Sequence, residues 1–278
     1  MEIDILPKTE RAQTHMVFIV VPRFNIMTLI TMIETLRIAN YLAPASIYSW
    51  EVASFDGSKI IASNGMTATI KTANDNLQSA EFVFILGSWG TEHYHNKKLT
   101  AWLRKRVRAG ERICGVELGS YIVARAGLLD GKLATIHWSW LNGFKENFNR
   151  VEVEESLFTL DRKVMTCSGG LAGVDLMLRL IEEINGSSFS GEIADQMLHH
   201  PIRSAISPQR GTMGRSTETM RPLLREAMTL IENNIEEPLT VPQIANLLGV
   251  SQRQLERQFK KNVGCTVVQF GLLKRLQN

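Results

Sequence analysis

The sequence predicts two domains, an α/β domain built on a mostly parallel sheet and a smaller all-α domain after it. Strand-like apolar runs alternate with amphipathic helices over residues 16–200, and helix patterns alone occupy residues 220–278. Residues 201–219 between them are rich in Ser, Pro, Gly and Arg. The alternation is typical of a parallel sheet with helices on both faces, and the composition between the domains is typical of a linker.

The strands of the first domain are predicted from apolar runs of strand length, which are typical of strands buried on both faces. These runs lie at residues 16–21, 50–54, 81–86, 112–116 and 164–167. Helices are predicted at residues 28–42, 99–109, 120–126 and 172–185. In a sheet of this kind, ligands bind beyond the carboxyl ends of the strands.

The second domain contains a helix-turn-helix pattern at residues 240–264. Thr240 followed by Gln243 is a capping-box pattern that starts the first helix. Ser251 followed by Gln254 starts the second helix by the same logic. Two short helices around a tight turn are therefore expected here.

The turn and the buried faces of these helices follow from their spacing. Gly249 supplies a residue that readily takes a positive φ at the end of the first helix, and a preceding helix is predicted at residues 221–234. Apolar residues at helical spacing face inward. The expected inward residues are Ile244, Leu247 and Leu248 on the first helix and Leu255, Phe259 and Val263 on the second.

The outward face of the second helix offers hydrogen-bonding and cationic groups to a DNA groove. Its side chains are Gln252, Arg253, Gln254, Arg257, Lys260 and Lys261. We expect Arg253 to read bases, flanked by Gln252 and Gln254, and the other three cations to contact phosphates. From residue 251 onward, six Lys or Arg residues stand against one Glu, which favours phosphate contacts. The alternative is an ordinary helical hairpin with a solvated basic face.

The composition predicts a globular protein with neither a disulfide framework nor a bound metal or cofactor. The three cysteines form no CxxC pattern. His199 and His200 have no acidic or cysteine partners in the sequence pattern and are expected at the surface. A polar N-terminus and apolar runs of strand length predict no signal peptide and no membrane span, and therefore a cytoplasmic protein.

A sharp turn is predicted where the strand at 112–116 meets the helix at 120–126. Gly115 and Gly119 flank Glu117 at the spacing of a nucleophile elbow, in which small neighbours permit a strained backbone. A hydrolase needs Cys or Ser at the centre of such a turn. The turn in this chain therefore presents a carboxylate at the end of the sheet and no catalytic nucleophile.

Residues 113–138 (ICGVELGSYIVARAGLLDGKLATIHW) resemble the core signature of the class I glutamine-amidotransferase-like, or amidase, superfamily. The catalytic cysteine of that superfamily matches Glu117, nine residues before Ala126, and its histidine matches His137, twenty residues after Glu117. Residues 24–31 contain no acid. The resemblance implies a flavodoxin-like sheet sandwiched by helices that acts as a binding module and not as an enzyme.

A wider resemblance, to the GlxA-type branch of the AraC/XylS transcription regulators, covers nearly the whole chain from residue 16 onward. It rests on residues 21–42, 62–67, 165–181 and 252–266. The branch implies a ligand-responsive activator of catabolic genes that binds an operator as a homodimer and works with RNA polymerase. Glycine betaine, carnitine or arginine are the effectors that the resemblance implies.

The resemblance also predicts that the helix-turn-helix domain at 220–278 is incomplete. The branch carries two helix-turn-helix units, and this sequence stops at Asn278 within what resembles the helix between them. We therefore expect either a fragment of a longer protein or a truncated regulator that binds DNA weakly.

The effector is expected at the carboxyl ends of the strands, with its cationic end against Glu117. A desolvated carboxylate needs a compensating cation, such as a quaternary ammonium or guanidinium group. Trp89 is expected to offer a ring face to that cation. Asn25 is expected to form a hydrogen bond to the polar end of the effector, and His137 is expected to line the wall of the pocket. One alternative is that Glu117 is structural and accepts backbone N–H groups at the following helix. A second is an amidase, hydratase or glyoxalase in which Glu117 is the general base.

Overall fold

A seven-stranded sheet forms the centre of the first of two compact units into which the chain divides after Gln209. The structure is a computed structural model that describes residues 13–73, 77–210, 222–235, 237–263 and 265–277. The strands of the first unit are β1 (Thr14–Val20), β2 (Tyr48–Ser54), β3 (Lys59–Ile61), β4 (Thr67–Thr69), β5 (Lys71–Thr72), β6 (Phe82–Gly87), β7 (Arg112–Glu117), β8 (Leu133–Ala134), β9 (Glu152–Val153), β10 (Phe158–Thr159) and β11 (Val164–Cys167). Its helices are α1 (Ile26–Leu42), α2 (Lys97–Arg108), α3 (Gly119–Arg125), α4 (Leu141–Asn147), α5 (Ala172–Asn185) and α6 (Ser187–Gln196).

The main sheet has the strand order β10-β11-β7-β6-β1-β2-β5. All of its pairs are parallel except that between β10 and β11. The chain runs outward from β1 through β2 to one edge, then returns to β6 and continues to the other edge. The point where the direction reverses lies between β1 and β6, which is where sheets of this kind bind ligands. The predicted α/β fold with a mostly parallel sheet is confirmed.

Helices cover both faces of the sheet, so the middle residues of its central strands are apolar. In β1, Met16, Phe18 and Val20 face the layer that contains α1, α5 and α6, whereas Val17 and Ile19 face the layer that contains α2 and α3. Alternate residues of a strand point to opposite faces. A run without polar residues is therefore the expected pattern for a strand buried on both sides.

Some elements have no strong sequence signal and were not predicted. Helices α4 and α6 are among them, as are the short strand pairs β3–β4 and β8–β9 and the antiparallel edge strand β10. Each is short or lies on the periphery. Their formation therefore depends on packing against the main sheet more than on local pattern.

The segment after α6 packs on the first unit, although the sequence places residues 201–209 in the linker. We call residues 199–209 the strap. The backbone N–H of Leu157 donates to the Ala205 carbonyl at 2.8 Å, and Gln209 Nε2 donates to the carbonyls of Ile136 and Ser156 at 2.8 Å each. Residues 211–219 of the predicted linker lie outside the described residues.

The second unit is helical, with α7 (Pro222–Asn233), α8 (Val241–Leu247), α9 (Gln252–Asn262) and α10 (Val267–Gln277). The predicted caps are present: Gln243 Oε1 accepts the backbone N–H of Thr240 at 2.8 Å, and Ser251 Oγ accepts the backbone N–H of Gln254 at 3.2 Å. Gly249 has φ +64° at the turn. The two helices around a tight turn that the sequence predicts are present in the described part of residues 240–264.

The prediction that Leu247 of α8 faces the core was wrong. Leu247 is 61% exposed, whereas Val241, Ile244 and Ala245 are buried and Leu248 is half-buried. A helix turns by about 100° per residue, which puts Leu247 well away from the centre of the face that the other four share. The core against which they pack includes Leu255 and Phe259 of α9 together with Phe270 of α10.

No helix in the described part of the chain is long and apolar enough to cross a membrane.

We expect Gly119→Ala to destabilise the first unit by about 3 kcal/mol, since overpacking against backbone leaves no flexible neighbour to yield. A Cβ at Gly119 would lie 1.8 Å from the carbonyl oxygen of Ile85 in β6. All five tryptophans lie at or before residue 140. Urea unfolding followed by tryptophan fluorescence therefore reports this unit.

The matched control is Gly191→Ala within α6, where a Cβ meets nothing within 4 Å. Alanine is the better helix former, so this variant should gain about 0.5–1 kcal/mol. Equal behaviour of the two variants would contradict the close approach of α3 to β6.

Candidate functional site

Glu117 is the last residue of β7 and adopts a conformation that few side chains tolerate. Its φ is +54°, in the left-handed region, and only 7% of its surface is exposed. A non-glycine residue in this region is strained and is often found at a functional site. The sharp turn expected between Gly115 and Gly119 is thus present, with the carboxylate turned inward at the carboxyl end of the sheet.

Two side chains from neighbouring strand ends hold this carboxylate. Ser88 Oγ donates to Glu117 Oε1 at 2.6 Å, and Asn25 Nδ2 donates to Oε2 at 3.1 Å. The parallel register pairs Gly87 of β6 with Glu117 of β7, so the residue after β6 lies beside the turn. Asn25 follows β1, the next strand across. The sequence prediction missed Ser88, although its place directly after a buried strand was a usable signal.

The Glu117 carboxylate is buried without a cation. None of the ion pairs among the described residues includes it. Burial raises the pKa of Glu117, and the hydrogen bonds from Ser88 and Asn25 oppose that increase. The hydrogen bonds come from side chains and not from the backbone of α3. The arrangement favours either a bound proton or a bound cation at this position.

An open cavity of about 320 Å³ lies beside Glu117. Its lining combines the turn, the start of α1, the loop after β11 and the strap. The lining residues are Asn25, Met27, Glu117, His137, Trp138, Leu157, Ser168, Gly169, Gly170, Leu171, Ala172, Arg203 and Gln209. The cavity brings together three of the four predicted ligand residues, and the sequence prediction missed Arg203 and Gln209 because they lie far along the chain.

The other predicted ligand residues differ in their surroundings. Asn25 also caps α1, since its Oδ1 accepts the backbone N–H of Met27 at 3.1 Å. His137 lines the cavity beside Trp138, with ring centroids 5.4 Å apart, and burial lowers its pKa. Trp89 is 63% exposed and is not among the lining residues. Trp138 therefore replaces it as the aromatic side chain at the cavity.

The cysteines are poorly suited to nucleophilic catalysis. Cys114 is buried within β7, three residues before Glu117, and burial raises its pKa well above the usual range. Burial also raises the pKa of Cys167 to about 12, and that of Cys265 is raised as well. A thiol attacks as its thiolate, so raised pKa values oppose reactivity. The described residues also contain no group of three His, Cys, Asp or Glu side chains placed to hold a metal ion.

Helix α9 presents a second candidate surface. Its cations lie opposite the buried Leu255 and Phe259, and the two glutamines of its first turn flank them. The exposed side chains are Gln252, Arg253, Gln254, Arg257, Lys260 and Lys261. A recognition helix needs a face of this kind, with basic and amide groups exposed and an apolar face anchored in a small core.

Comparison with known proteins assigns both units. The sequence matches the DJ-1/PfpI family over residues 16–183 and the bacterial regulatory helix-turn-helix proteins of the AraC family over residues 231–270. It is 34% identical over 271 residues to the HTH-type transcriptional regulator GbdR of Pseudomonas aeruginosa, covering 98% of this chain and 74% of GbdR. The chain belongs to the AraC-type regulators that carry a DJ-1/PfpI domain. It is a DNA-binding transcription regulator.

The solved structures agree with the fold of the regulator. An AraC family transcriptional regulator from Pseudomonas putida has a TM-score of 0.62 at 21% identity, covering 66% of this chain and 98% of that one. A more distant relative is the isonitrile hydratase of Pseudomonas putida, 23% identical over 143 residues, which are 51% of this chain and 62% of the hydratase. The chain is thus similar to an enzyme over about half of its length and to transcription regulators over nearly all of it.

We expect Glu117→Gln to make the ligand-free regulator more stable at pH 7. The raised pKa means that the folded state binds the Glu117 proton more tightly than the unfolded state does. This contribution to stability is complete below the unfolded pKa of about 4.3. It is lost as the pH rises through the folded pKa.

The glutamine stays neutral throughout, and its amide can donate to Ser88 while accepting from Asn25. Urea titrations between pH 4 and pH 8 should thus show a stability difference that grows with pH. Glu192→Gln on the exposed face of α6 is the control. A constant difference for Glu117→Gln would show that the carboxylate is not destabilised by burial.

Proposed function

We propose that the α/β domain senses a small cationic or zwitterionic amine, and that its occupancy controls DNA binding or activation by the helix-turn-helix. The observation that carries the proposal is the buried Glu117 carboxylate, which has no ion-pair partner among the described residues and borders an open cavity. Removing a charge from water is unfavourable unless a cation compensates it. A cationic ligand supplies that compensation.

The size and walls of the cavity support a small metabolite. Its volume of about 320 Å³ lies at the lower end of the range for ligand sites. Trp138 and the ring of His137 border it, and an aromatic face stabilises a quaternary ammonium or guanidinium group. Glycine betaine, carnitine and arginine each combine such a cation with a carboxylate, and we propose this class as the effectors.

We propose further that the domain has no catalytic turnover. The elbow carries Glu117 in place of a nucleophile, and both buried thiols of the domain have raised pKa values. The enzyme alternative requires Glu117 to act as a general base. Hydrolysis or hydration of an amide or isonitrile by this protein, lost in Glu117→Ala, would overturn the proposal.

On the DNA side, we propose that Arg253 reads bases with Gln252 and Gln254 beside it, while the other cations of α9 contact phosphates. The exposure of all these side chains supports the proposal. The resemblance to the catabolic regulators supports an activator that binds as a homodimer and recruits RNA polymerase.

We expect Glu117→Gln to weaken binding of the effector about 10-fold to 100-fold, because a charged partner contributes roughly 1.5–3 kcal/mol. Glycine betaine, carnitine, dimethylglycine and arginine are first ranked by thermal shift, since ligand binding raises apparent stability. Isothermal titration calorimetry then gives the affinity of the best compound.

Affinity of the wild-type regulator should fall as the pH falls through the raised pKa of Glu117, because protonation removes the charge that binds the cation. The Glu117→Gln variant should lack this dependence, and Glu192→Gln should retain it. Unchanged affinity in Glu117→Gln would refute the assignment of the carboxylate.

Replacing Arg253 by Ala should relax sequence preference and cost about 1–3 kcal/mol on the preferred DNA sequence, as expected for a base-reading arginine. Lys261→Ala should weaken binding to all sequences alike and reduce the salt slope by about one. Selection from a random DNA library followed by salt titrations measures both effects. Lys98→Ala, in the first domain, serves as the control, and identical behaviour of the Arg253 and Lys261 variants would contradict this division of roles.

A further inference from the structure

The strap supplies part of the cavity wall. Arg203 and Gln209 line the same cavity as Glu117, although they lie 86 and 92 residues further along the sequence. These residues immediately precede the second unit in the chain. A ligand in the cavity therefore meets the α/β core on one side and the segment that leads to the DNA-binding domain on the other.

Asp175 of α5 anchors the strap. Its carboxylate is fully buried and accepts from Arg203 Nε at 3.0 Å and Nη2 at 2.6 Å, from the Arg203 backbone N–H at 2.8 Å, and contacts His199 Nε2 at 2.9 Å. His199 thus has an acidic partner that the sequence pattern did not indicate. The guanidinium group is held by this contact in one orientation.

The contact with Asp175 uses one edge of the Arg203 guanidinium. Both side-chain hydrogen bonds come from Nε and Nη2, and Nη1 has no hydrogen bond to the described residues. A guanidinium carries five N–H donors and can bind carboxylates on two edges. Arg203 lines the cavity beside Glu117, and its second edge makes no hydrogen bond to the described residues that would compete with an anionic group.

Gln209 holds the other end of the strap next to the cavity. Its Nε2 donates to Thr135 Oγ1 at 3.1 Å as well as to two backbone carbonyls, while its Oε1 is buried and has no hydrogen-bond partner among the described residues. A buried acceptor without a partner is unfavourable. The strap is thus held on Asp175 near its start and by the hydrogen bonds of Gln209 at its end. Between them lies the cavity wall, where the buried Gln209 Oε1 still lacks a hydrogen bond from the described residues.

We propose that Arg203 binds the carboxylate of a zwitterionic effector whose cation lies against Glu117, so that the effector joins the strap to the α/β core. This inference rests on the proposed function and names the second half of the same site. A cation without a carboxylate contacts only the core. A zwitterion contacts both sides and holds the strap closed, which is how occupancy reaches the segment before the DNA-binding unit.

Two matched pairs of compounds test the inference by calorimetry: glycine betaine with choline, and arginine with agmatine. The second member of each pair keeps the cation and lacks the carboxylate. For the pair that binds, the wild-type regulator should prefer the zwitterion about tenfold or more, as a charged hydrogen bond implies. Arg203→Gln should abolish that preference and leave affinity for the carboxylate-free compound within twofold. Arg162→Gln, at an exposed arginine of the same unit, is the control.

Loss of affinity for both members of a pair in Arg203→Gln would assign Arg203 a structural role only and overturn the inference. Equal affinities of the two members in the wild type would overturn it as well. If neither these four compounds nor carnitine binds, or if Glu117→Gln leaves every affinity unchanged, the proposed function itself fails.

The wild-type chain provides a second test that does not depend on the folding of a variant. Trypsin cleaves after Arg203 when the strap opens, and the bound zwitterion should slow this cleavage at least fivefold. Choline or agmatine at saturation should leave the rate within twofold of the ligand-free value. Equal protection by both members of a pair would overturn the inference.

Discussion

The arrangement of the first unit depends on the close approach of α3 to β6 that the turn at Glu117 requires. Gly119 lies so near the carbonyl of Ile85 that no side chain fits between them, and this contact fixes where β7 ends and in which direction the Glu117 carboxylate points. The parallel register then puts Ser88 beside that carboxylate, and Asn25 reaches it from the next strand. A strained backbone conformation is thus maintained because packing on all sides determines it.

A carboxylate in this position has a different chemistry from the thiol or hydroxyl that an elbow holds in a hydrolase. It cannot serve as an activated nucleophile toward an amide, but it attracts a proton or a cation with little competition from water. Replacing one side chain while retaining the fold thus removes the group that attacks the substrate in a hydrolase and leaves a buried carboxylate in its place. Function is carried by the site and not by the fold, which accounts for the similarity of one domain to both regulators and an enzyme.

The second unit has a small core of its own, which leaves one face of α9 exposed. Leu255 and Phe259 of α9 pack against residues of α7, α8 and α10, and Phe259 meets Phe270 edge-on with ring centroids 5.7 Å apart. The cations on the opposite face of α9 are exposed. The strap precedes this unit in the chain and is fastened to the core through Asp175, and its residues Arg203 and Gln209 line the cavity beside Glu117.

Local pattern determined the parts of this protein that depend on local physics. The sequence predicts β1, β6 and β7 because a buried strand requires a run of apolar residues. It predicts the caps at Thr240 and Ser251 because the first N–H groups of a helix need acceptors. It predicts the elbow at Glu117 because a sharp turn needs small neighbouring residues. Only the tertiary structure decided that Ser88 holds the Glu117 carboxylate and that Trp138 borders the cavity in place of Trp89. It also decided that Arg203, far along the chain, lines the same cavity. These residues are brought together by strand register and by an ion pair between the buried Asp175 of α5 and Arg203 of the strap, which are long-range interactions that no local spacing encodes.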